Sequence, residues 1–198
     1  MNSKIFYNET NYNEAEIKSV VKVLKKSKHS LVGGNNTKDF EIQVSKMFGK
    51  KYGLFVNSGS SAILLALAAL NLPKNSEIIT PSLTFSTTIS PILQMNLVPK
   101  LIDIEVDTLN IDISKIEKAI NKKTKAFLIP NLMGNIPEWK KIRKLLKNKK
   151  IHLIEDSADT IGYSINNENT GKITDITTTS FYASHIITCG GIGGMVCT

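Results

Sequence analysis

The chain has 198 residues, of which 41% are hydrophobic and 21% charged, and its formal net charge is +8. This composition is typical of one soluble domain with a sizeable core, and no apolar run reaches the roughly eighteen residues that a membrane span requires. The polar amino terminus lacks the apolar core of a secretory signal. We therefore expect a cytoplasmic protein that does not insert into a membrane.

Neither the lysines nor the cysteines predict a nucleic-acid or metal site. Many lysines fall in amphipathic patterns such as residues 139–150, where lysine is normally the solvated face of a helix. No reading motif with interleaved aromatic residues accompanies them, although positive charge helps to attract a phosphate-bearing substrate. Cys189 and Cys197 are too few for a four-thiolate zinc or iron–sulfur site, so we expect both to be small buried hydrophobic side chains.

Along the chain, two amphipathic helical segments precede an alternation of strands and helices. The helical segments lie near 13–27 and 37–49, the strand-like runs are 53–56, 77–79, 99–102, 126–129 and 151–154, and further helical stretches lie near 61–71, 84–95, 114–121 and 137–148. Pro137 suits the first turn of the last helix, with Asn135 as its cap. The alternation predicts an α/β fold with a mainly parallel sheet between helices.

Ligands of such sheets bind beyond the carboxyl ends of the strands, so the residues after each strand are the candidates for a site. The segment Asn57-Ser58-Gly59-Ser60-Ser61-Ala62 follows the first strand and leads into an apolar helix. Backbone N–H groups at a helix start can bind a phosphate, but serine and glycine there are as often only a cap. Local sequence leaves both interpretations open.

Phe85 and Asp156 follow the second and fifth strands. Phe85 can stack on a planar ring, or it can be an ordinary core side chain. Asp156 is costly at the end of a buried strand unless it is paired, for example with a cationic ring nitrogen. The alternative for Asp156 is a cap on a following helix.

A lone histidine, His185, precedes a glycine-rich turn that ends at Gly194. A lone histidine is more often structural than catalytic, but the glycines allow the backbone to approach a ligand closely. The apolar segment 194–197 then predicts one more strand. Because the sequence stops within that strand, we interpret it as incomplete.

Taken in order, these segments resemble the DegT/DnrJ/EryC1/StrS family of sugar aminotransferases, which are built on the fold-type I pyridoxal phosphate scaffold. The resemblance covers almost the whole chain. It runs from Gly34 and Phe40-Glu41 through NSGSSA, PSLTFSTT, DIEVDTLNIDI, GNIP and EDSADTIG to SFYASH. The ordered set is far more specific than any single member.

The resemblance implies roles for the residues that follow the strands. The backbone of Gly59 and Ser60, with the hydroxyl of Ser180, would hold the cofactor phosphate. Phe85 would stack on the pyridine ring. Asp156 would pair with the protonated ring nitrogen and keep the ring an electron acceptor.

His185 stands where aminotransferases of this family have the lysine that joins covalently to the cofactor. The resemblance therefore narrows to the 3-dehydratase branch, which uses pyridoxamine phosphate to remove the C3 hydroxyl of a nucleotide-linked 4-keto-6-deoxysugar. Such reactions supply deoxysugars for surface polysaccharide. Histidine cannot hold the cofactor in a stable covalent link, and an imidazole can accept a proton near neutral pH.

Two alternatives stay open at this point. An aminotransferase of the same family would need a suitably placed lysine, and Lys172 lies upstream in a different context. A truncated, inactive homologue would at most bind cofactor or pair with another subunit. Ile192, where the family usually has an acidic residue, weakens the expectation of activity. The resemblance also implies a homodimer, and it assigns residues 1–198 to an amino-terminal helical segment and the large cofactor-binding domain, without the small carboxyl-terminal domain.

Overall fold

The computed structural model describes residues 4–6, 9–27, 32–165 and 167–198. The helices are α1 (Glu14–Lys26), α2 (Asn35–Met47), α3 (Gly59–Ala69), α4 (Ser86–Gln94), α5 (Ile113–Ala119) and α6 (Trp139–Leu145). The strands are β1 (Gly53–Val56), β2 (Glu77–Pro81), β3 (Val98–Ile102), β4 (Thr124–Pro130), β5 (His152–Asp156), β6 (Ser164–Ile165), β7 (Glu168–Asn169), β8 (Ile176–Ser180) and β9 (Gly194–Cys197). Each strand and helix predicted from the sequence is present, with ends shifted by a few residues.

Seven strands form one sheet in the order β1-β9-β8-β5-β4-β2-β3. The strands from β8 to β3 are parallel, whereas β9 runs antiparallel between β8 and β1. The predicted α/β class with a mainly parallel sheet is therefore confirmed. Because β9 is antiparallel to both neighbours, β1 points the same way as the parallel strands. The carboxyl ends of β1, β4, β5 and β8 consequently share one edge of the sheet.

Helices cover both faces of the sheet. On one face, α3 and α4 pack through a buried cluster that includes Leu67, Ile92 and Ile154. On the other face, α5 and α6 pack through a cluster that includes Ile116, Trp139 and Leu153. Leu153 and Ile154 therefore face opposite sides, as neighbours on a strand must. The same alternation sends the next two residues of β5, both carboxylates, to opposite faces of the sheet.

Strand β8 was not predicted from the sequence because it has no apolar run. Its sequence is Ile-Thr-Thr-Thr-Ser, and all five residues are buried. Threonine is β-branched and favours strands, but it is a polar residue, so a run of threonines is not recognised as a hydrophobic strand. The hydroxyls are satisfied within the sheet, for example by the bond of 2.9 Å that Thr179 donates to the carbonyl of Ser157.

The predicted start of α6 was wrong. The helix begins at Trp139 with Glu138 at the N-cap position, so Pro137 precedes the first turn and Asn135 is not the cap. Asn135 instead ends a short 3-10 turn over Leu132–Gly134, and its N–H donates to the carbonyl of Leu132. Because Asn135 ends this turn, it does not cap α6.

Side-chain exposure confirms the prediction for the lysines and, for the cysteines, separates one residue from the other. The lysines of residues 139–150 are exposed, which confirms the solvated-face interpretation. Cys197 is buried as predicted, and burial raises the pKa of its thiol to about 12, whereas Cys189 is only half-buried. Within the described residues, no helix combines the length and apolar character needed to cross a membrane.

Candidate active site at the carboxyl edge of the sheet

A pocket of about 830 Å³ opens at the carboxyl edge shared by β1, β4, β5 and β8. Its size falls in the range of small-molecule sites. The six residues proposed from the sequence come from four separate chain segments, yet all of them line this one pocket: Gly59, Ser60, Phe85, Asp156, Ser180 and His185. Parallel strands bring their carboxyl ends together, which is why residues far apart in sequence meet here.

One wall of the pocket is the amino terminus of α3. The side chain of Ser58 caps this helix by accepting a hydrogen bond of 3.1 Å from the N–H of Ser61, so the cap interpretation holds for Ser58. The first N–H groups of a helix have no partner within it. Those of Gly59 and Ser60 therefore remain able to bind an anion, which the helix dipole also favours.

Gly59 sits directly against Ser180 at the end of β8. A Cβ atom on Gly59 would lie 2.7 Å from the Cβ of Ser180, closer than two carbon atoms can approach, and 3.1 Å from its Oγ. The absence of a side chain thus allows the helix start and the serine hydroxyl to form one cradle. Gly193 closes the cradle from the β9 side with a φ of +129°, a conformation reserved almost entirely for glycine.

Phe85 is not a core residue. It precedes α4 at the N-cap position, and 69% of its surface is exposed at the mouth of the pocket. The core alternative considered from the sequence is therefore wrong. An aromatic ring this exposed is available to stack on a planar ligand.

Asp156 lies on the pocket side of β5 and is almost completely buried. The Oδ1 atom accepts a hydrogen bond of 3.1 Å from the N–H of Ala158, and Thr88 donates a long bond of 3.5 Å to the Oδ2 atom. No helix follows directly, so the helix-cap alternative is wrong. Burial raises the pKa of this carboxyl to about 7, and the nearby carboxylate of Asp159 adds to the rise. A cationic group entering the pocket would restore the charged form.

His185 lines the pocket, and its ring meets that of Tyr182 edge to face. The Nε2 atom is 4.0 Å from the Oδ1 atom of Asp159, a carboxylate that also lines the pocket. The Nδ1 atom is buried and has no hydrogen-bond partner among the described residues. A buried polar atom without a partner is costly, which fits a site built to receive a further group.

The pocket lining also includes residues that were not proposed as site residues from the sequence, among them Thr88, Asn131, Met133 and Asp159. Asn131 and Met133 follow β4, and the rule that sites form after parallel strands was a sufficient signal to inspect them. Lysine is absent among the residues found to line the pocket, whereas two carboxylates and a histidine are present.

A second groove, of about 920 Å³, lies between α1 and the start of α2. Among the residues that the structure describes, its lining contains neither acidic residues nor histidine nor cysteine. None of the six residues proposed from the sequence lies in the described lining of this groove.

Comparison with known proteins identifies the family. A sequence profile described as the DegT/DnrJ/EryC1/StrS aminotransferase family matches residues 10–198. The chain belongs to this family. The sequence is 38% identical over 187 residues to a GDP-4-keto-6-deoxy-D-mannose 3-dehydratase of Escherichia coli O55:H7, a match that covers 91% of this chain and 48% of the relative. It is 37% identical over 176 residues to a dTDP-4-dehydro-2,6-dideoxy-D-glucose 3-dehydratase of Saccharopolyspora spinosa, covering 85% of this chain and 38% of the relative.

Solved structures of the family share this fold. An E. coli GDP-4-keto-6-deoxy-D-mannose 3-dehydratase with bound hydrated PLP superposes with a TM-score of 0.90 at 37% identity, over 99% of this chain and 52% of that one. The chain therefore spans about half the length, or less, of the curated relatives it matches. The family prediction made from ordered motifs is confirmed.

Proposed function

We propose that this protein acts as a pyridoxamine or pyridoxal phosphate-dependent 3-dehydratase on a nucleotide-linked 4-keto-6-deoxysugar. The reaction would serve deoxysugar and surface polysaccharide synthesis. The observation that carries the proposal is the position of His185 in a pocket whose lining includes no lysine among the described residues. By the resemblance to the family, His185 would stand at the position of the lysine that aminotransferases use. Two 3-dehydratases among the relatives support the same choice.

The residues of the pocket fit the cofactor. Gly59 and Ser60 would offer backbone N–H groups, and Ser180 its hydroxyl, to the phosphate at the start of α3. Phe85 would stack on the ring at the pocket mouth. Asp156 would face the ring nitrogen, and its raised pKa is the expected state of a buried carboxylate whose cationic partner comes from the ligand.

When bound, pyridoxamine phosphate supplies an amine for the sugar's keto group and a ring that accepts an electron pair. His185 would take the proton released at the cofactor's methylene carbon, because its imidazole lies in the pocket and cannot hold the cofactor covalently. Asp159, 4.0 Å from the Nε2 atom, would orient that imidazole and stabilise its protonated form. The pocket then directs the departure of the C3 hydroxyl rather than transamination.

Residues 1–198 would form the amino-terminal helical segment and the large cofactor-binding domain of this enzyme. In relatives, about half of the length lies outside the matched region. Residues 1–198 would not include the small carboxyl-terminal domain, and groups outside these residues would complete the site.

Homodimer formation is part of the proposal, and the pocket mouth supports it. Five large apolar side chains around the mouth are strongly exposed: Leu83, Phe85, Met133, Tyr182 and Ile192. Exposed apolar surface of this kind is typical of protein interfaces and ligand-binding grooves, so a second copy of the chain could cover the part that the ligand leaves exposed. A second copy would exclude water from the reaction, and the net charge of +8 would help to attract the anionic nucleotide sugar in the cytoplasm.

The test replaces His185 in the full chain as it occurs in the cell. His185→Asn keeps size but cannot take the proton, so single-turnover loss of the C3 hydroxyl should fall by about 10²–10⁴-fold while pyridoxamine phosphate still binds. His185→Lys should shift the protein toward transamination. His152→Asn, at the opposite edge of the sheet, is the matched control and should react like the parent.

Each outcome of this test bears on the proposal. Near-normal dehydration by His185→Asn would show that another group carries the proton. A parent protein that binds pyridoxamine phosphate but only transfers its amine would favour the aminotransferase. A parent that binds no cofactor would favour an inactive homologue.

A further inference from the structure

Glu155, the neighbour of Asp156, is completely buried on the opposite face of β5. Its two carboxylate oxygens accept hydrogen bonds from four side chains. Asn131 donates at 2.7 Å and Thr177 at 3.0 Å, and Ser157 and Thr174 each donate at 3.3 Å. A buried carboxylate is tolerated only when it is satisfied in this way, and an apolar side chain would stabilise the core with less cost.

The hydrogen bonds of Glu155 lead back to the pocket through Asn131. The second N–H of the Asn131 amide is shared between the hydroxyls of Ser157, at 2.8 Å from the Nδ2 atom, and Thr160, at 2.9 Å. The Oδ1 atom of Asn131 accepts from the indole of Trp139 at 3.2 Å. Asn131 is itself buried, and it begins the turn Leu132–Gly134 that forms part of the pocket wall. Every polar atom of its amide is thus committed to holding this turn in place.

The 131–134 turn holds the carboxylate of Asp159 beside His185. Met133 adopts a φ of +54°, which is unfavourable for a residue with a side chain, and its N–H donates to the Oδ2 atom of Asp159 at 2.8 Å. The other oxygen of Asp159 is 4.0 Å from the Nε2 atom of His185. A continuous set of contacts therefore joins Glu155, behind the sheet, to His185 in the pocket.

We infer that Glu155 is a positioning residue: through Asn131 and the 131–134 turn, it sets where Asp159 stands relative to His185. The catalytic part of this inference rests on the proposed function. The structural part does not, because the order of the turn can be measured without substrate. Lys50 approaches the same region, because its ammonium group donates to the carbonyls of Thr174, whose side chain bonds Glu155, and of Asp175.

The first experiment is residue-resolved amide hydrogen exchange in the parent and in Glu155→Gln. Glutamine keeps the shape of the side chain but weakens the acceptor for Asn131, so the Met133 amide should exchange at least about tenfold faster, while β2 and β4 amides stay unchanged. Glu77→Gln is the matched control, because Glu77 also accepts an asparagine N–H, from Asn121, but lies at the opposite edge of the sheet. The control should leave the Met133 amide unchanged.

Asn131→Ala is measured beside Glu155→Gln because it breaks the same link from the other end. It should accelerate exchange at Met133 in the same local pattern, so a failure of Glu155→Gln to fold does not leave the inference undecided. Exchange at Met133 that matches the parent in a folded variant overturns the inference. Acceleration spread evenly over the whole sheet also overturns it, since that would be loss of global stability alone.

The second experiment is a double-mutant cycle in the full chain. Glu155→Gln should lower kcat about tenfold with little change in KM, and it should lower kcat less than twofold further when Asp159 is already Asn. Full additivity of the two changes would refute action through Asp159. If the parent shows no dehydration at all, the proposed function fails, whereas the exchange experiment still decides whether Glu155 orders the turn.

Discussion

Asp156 provides the most quantitative test of the proposed site, because its burial should make the cofactor-free protein less stable than a neutral variant. The carboxyl has an ordinary pKa of 3.8, and burial raises it to about 7 in the folded chain. A shift of this size corresponds to at most about 4 kcal/mol of stability. Asp156→Asn keeps the shape and removes the charge.

The direction in which stability changes with pH depends on whether the folded protein favours the protonated or the charged form of Asp156. A raised pKa means that the folded state binds the proton more tightly than the unfolded state. The charge of Asp156 therefore costs no stability below pH 3.8; the cost grows as the pH rises from 3.8 to about 7 and stays constant above that. Asparagine does not titrate. The stability of Asp156→Asn relative to the parent should consequently increase by about 2–3 kcal/mol between pH 5 and pH 8.

The assay is urea unfolding of cofactor-free protein, followed by fluorescence of Trp139, the one tryptophan of the chain, which is completely buried. The control is Asp107→Asn, which removes an exposed carboxylate and should show no such dependence on pH. A stability difference between Asp156→Asn and the parent that stays flat from pH 5 to pH 8 would refute the reasoning.

The same substitution should act in the opposite direction on ligand binding. In the parent, a protonated ring nitrogen would pair with the Asp156 carboxylate and offset the cost of its burial. Asparagine forms no such charge pair, so the affinity for pyridoxamine phosphate at pH 8 should fall by about 10²-fold or more, about 3 kcal/mol. Equal affinity in the two proteins would mean that the ring nitrogen does not lie at this strand end.

Two further predictions concern the cofactor. Borohydride reduction of the protein mixed with pyridoxal phosphate should leave no pyridoxyl group on any lysine, because His185 cannot form the link, and peptide mass analysis that found one would revive the aminotransferase alternative. Gly59→Ala should weaken pyridoxamine phosphate binding by more than tenfold and cost about 1–3 kcal/mol of stability, because the new Cβ would overlap Ser180. Ser60→Ala keeps its backbone N–H and is the control for binding measured by fluorescence titration, since loss of affinity there would contradict a backbone role.

Much of the fold could be predicted because most strands and helices are specified by the residues within them. Strands such as 126–129 are short apolar runs, and helical stretches such as 61–71 alternate with them along the chain, so the order of these segments predicts the fold. Prediction from the sequence failed at two elements. Strand β8 was missed because its threonines are polar although they favour strands and are buried. The start of α6 was wrong because Asn135 belongs to the preceding 3-10 turn.

The candidate site was predictable to a similar extent. Position after a parallel strand was enough to select Gly59, Phe85 and Asp156, since chain direction alone brings strand ends to one edge. Local sequence could not decide whether Phe85 is buried or exposed, or whether Asp156 caps a helix, because both depend on what the rest of the chain places around them. Tertiary packing decided both questions.

By itself the sequence determined the class of fold and the family, since both are carried by residue identity and order along the chain. Only the tertiary structure decided how the pocket is held together. The antiparallel insertion of β9 brings Gly193 against the start of α3, and the burial of β5 raises the pKa of Asp156. The link from Glu155 through Asn131 to Asp159 joins residues of two different strand ends. Hydrogen bonds and desolvation depend on distances in space, and no local pattern of residues encodes them.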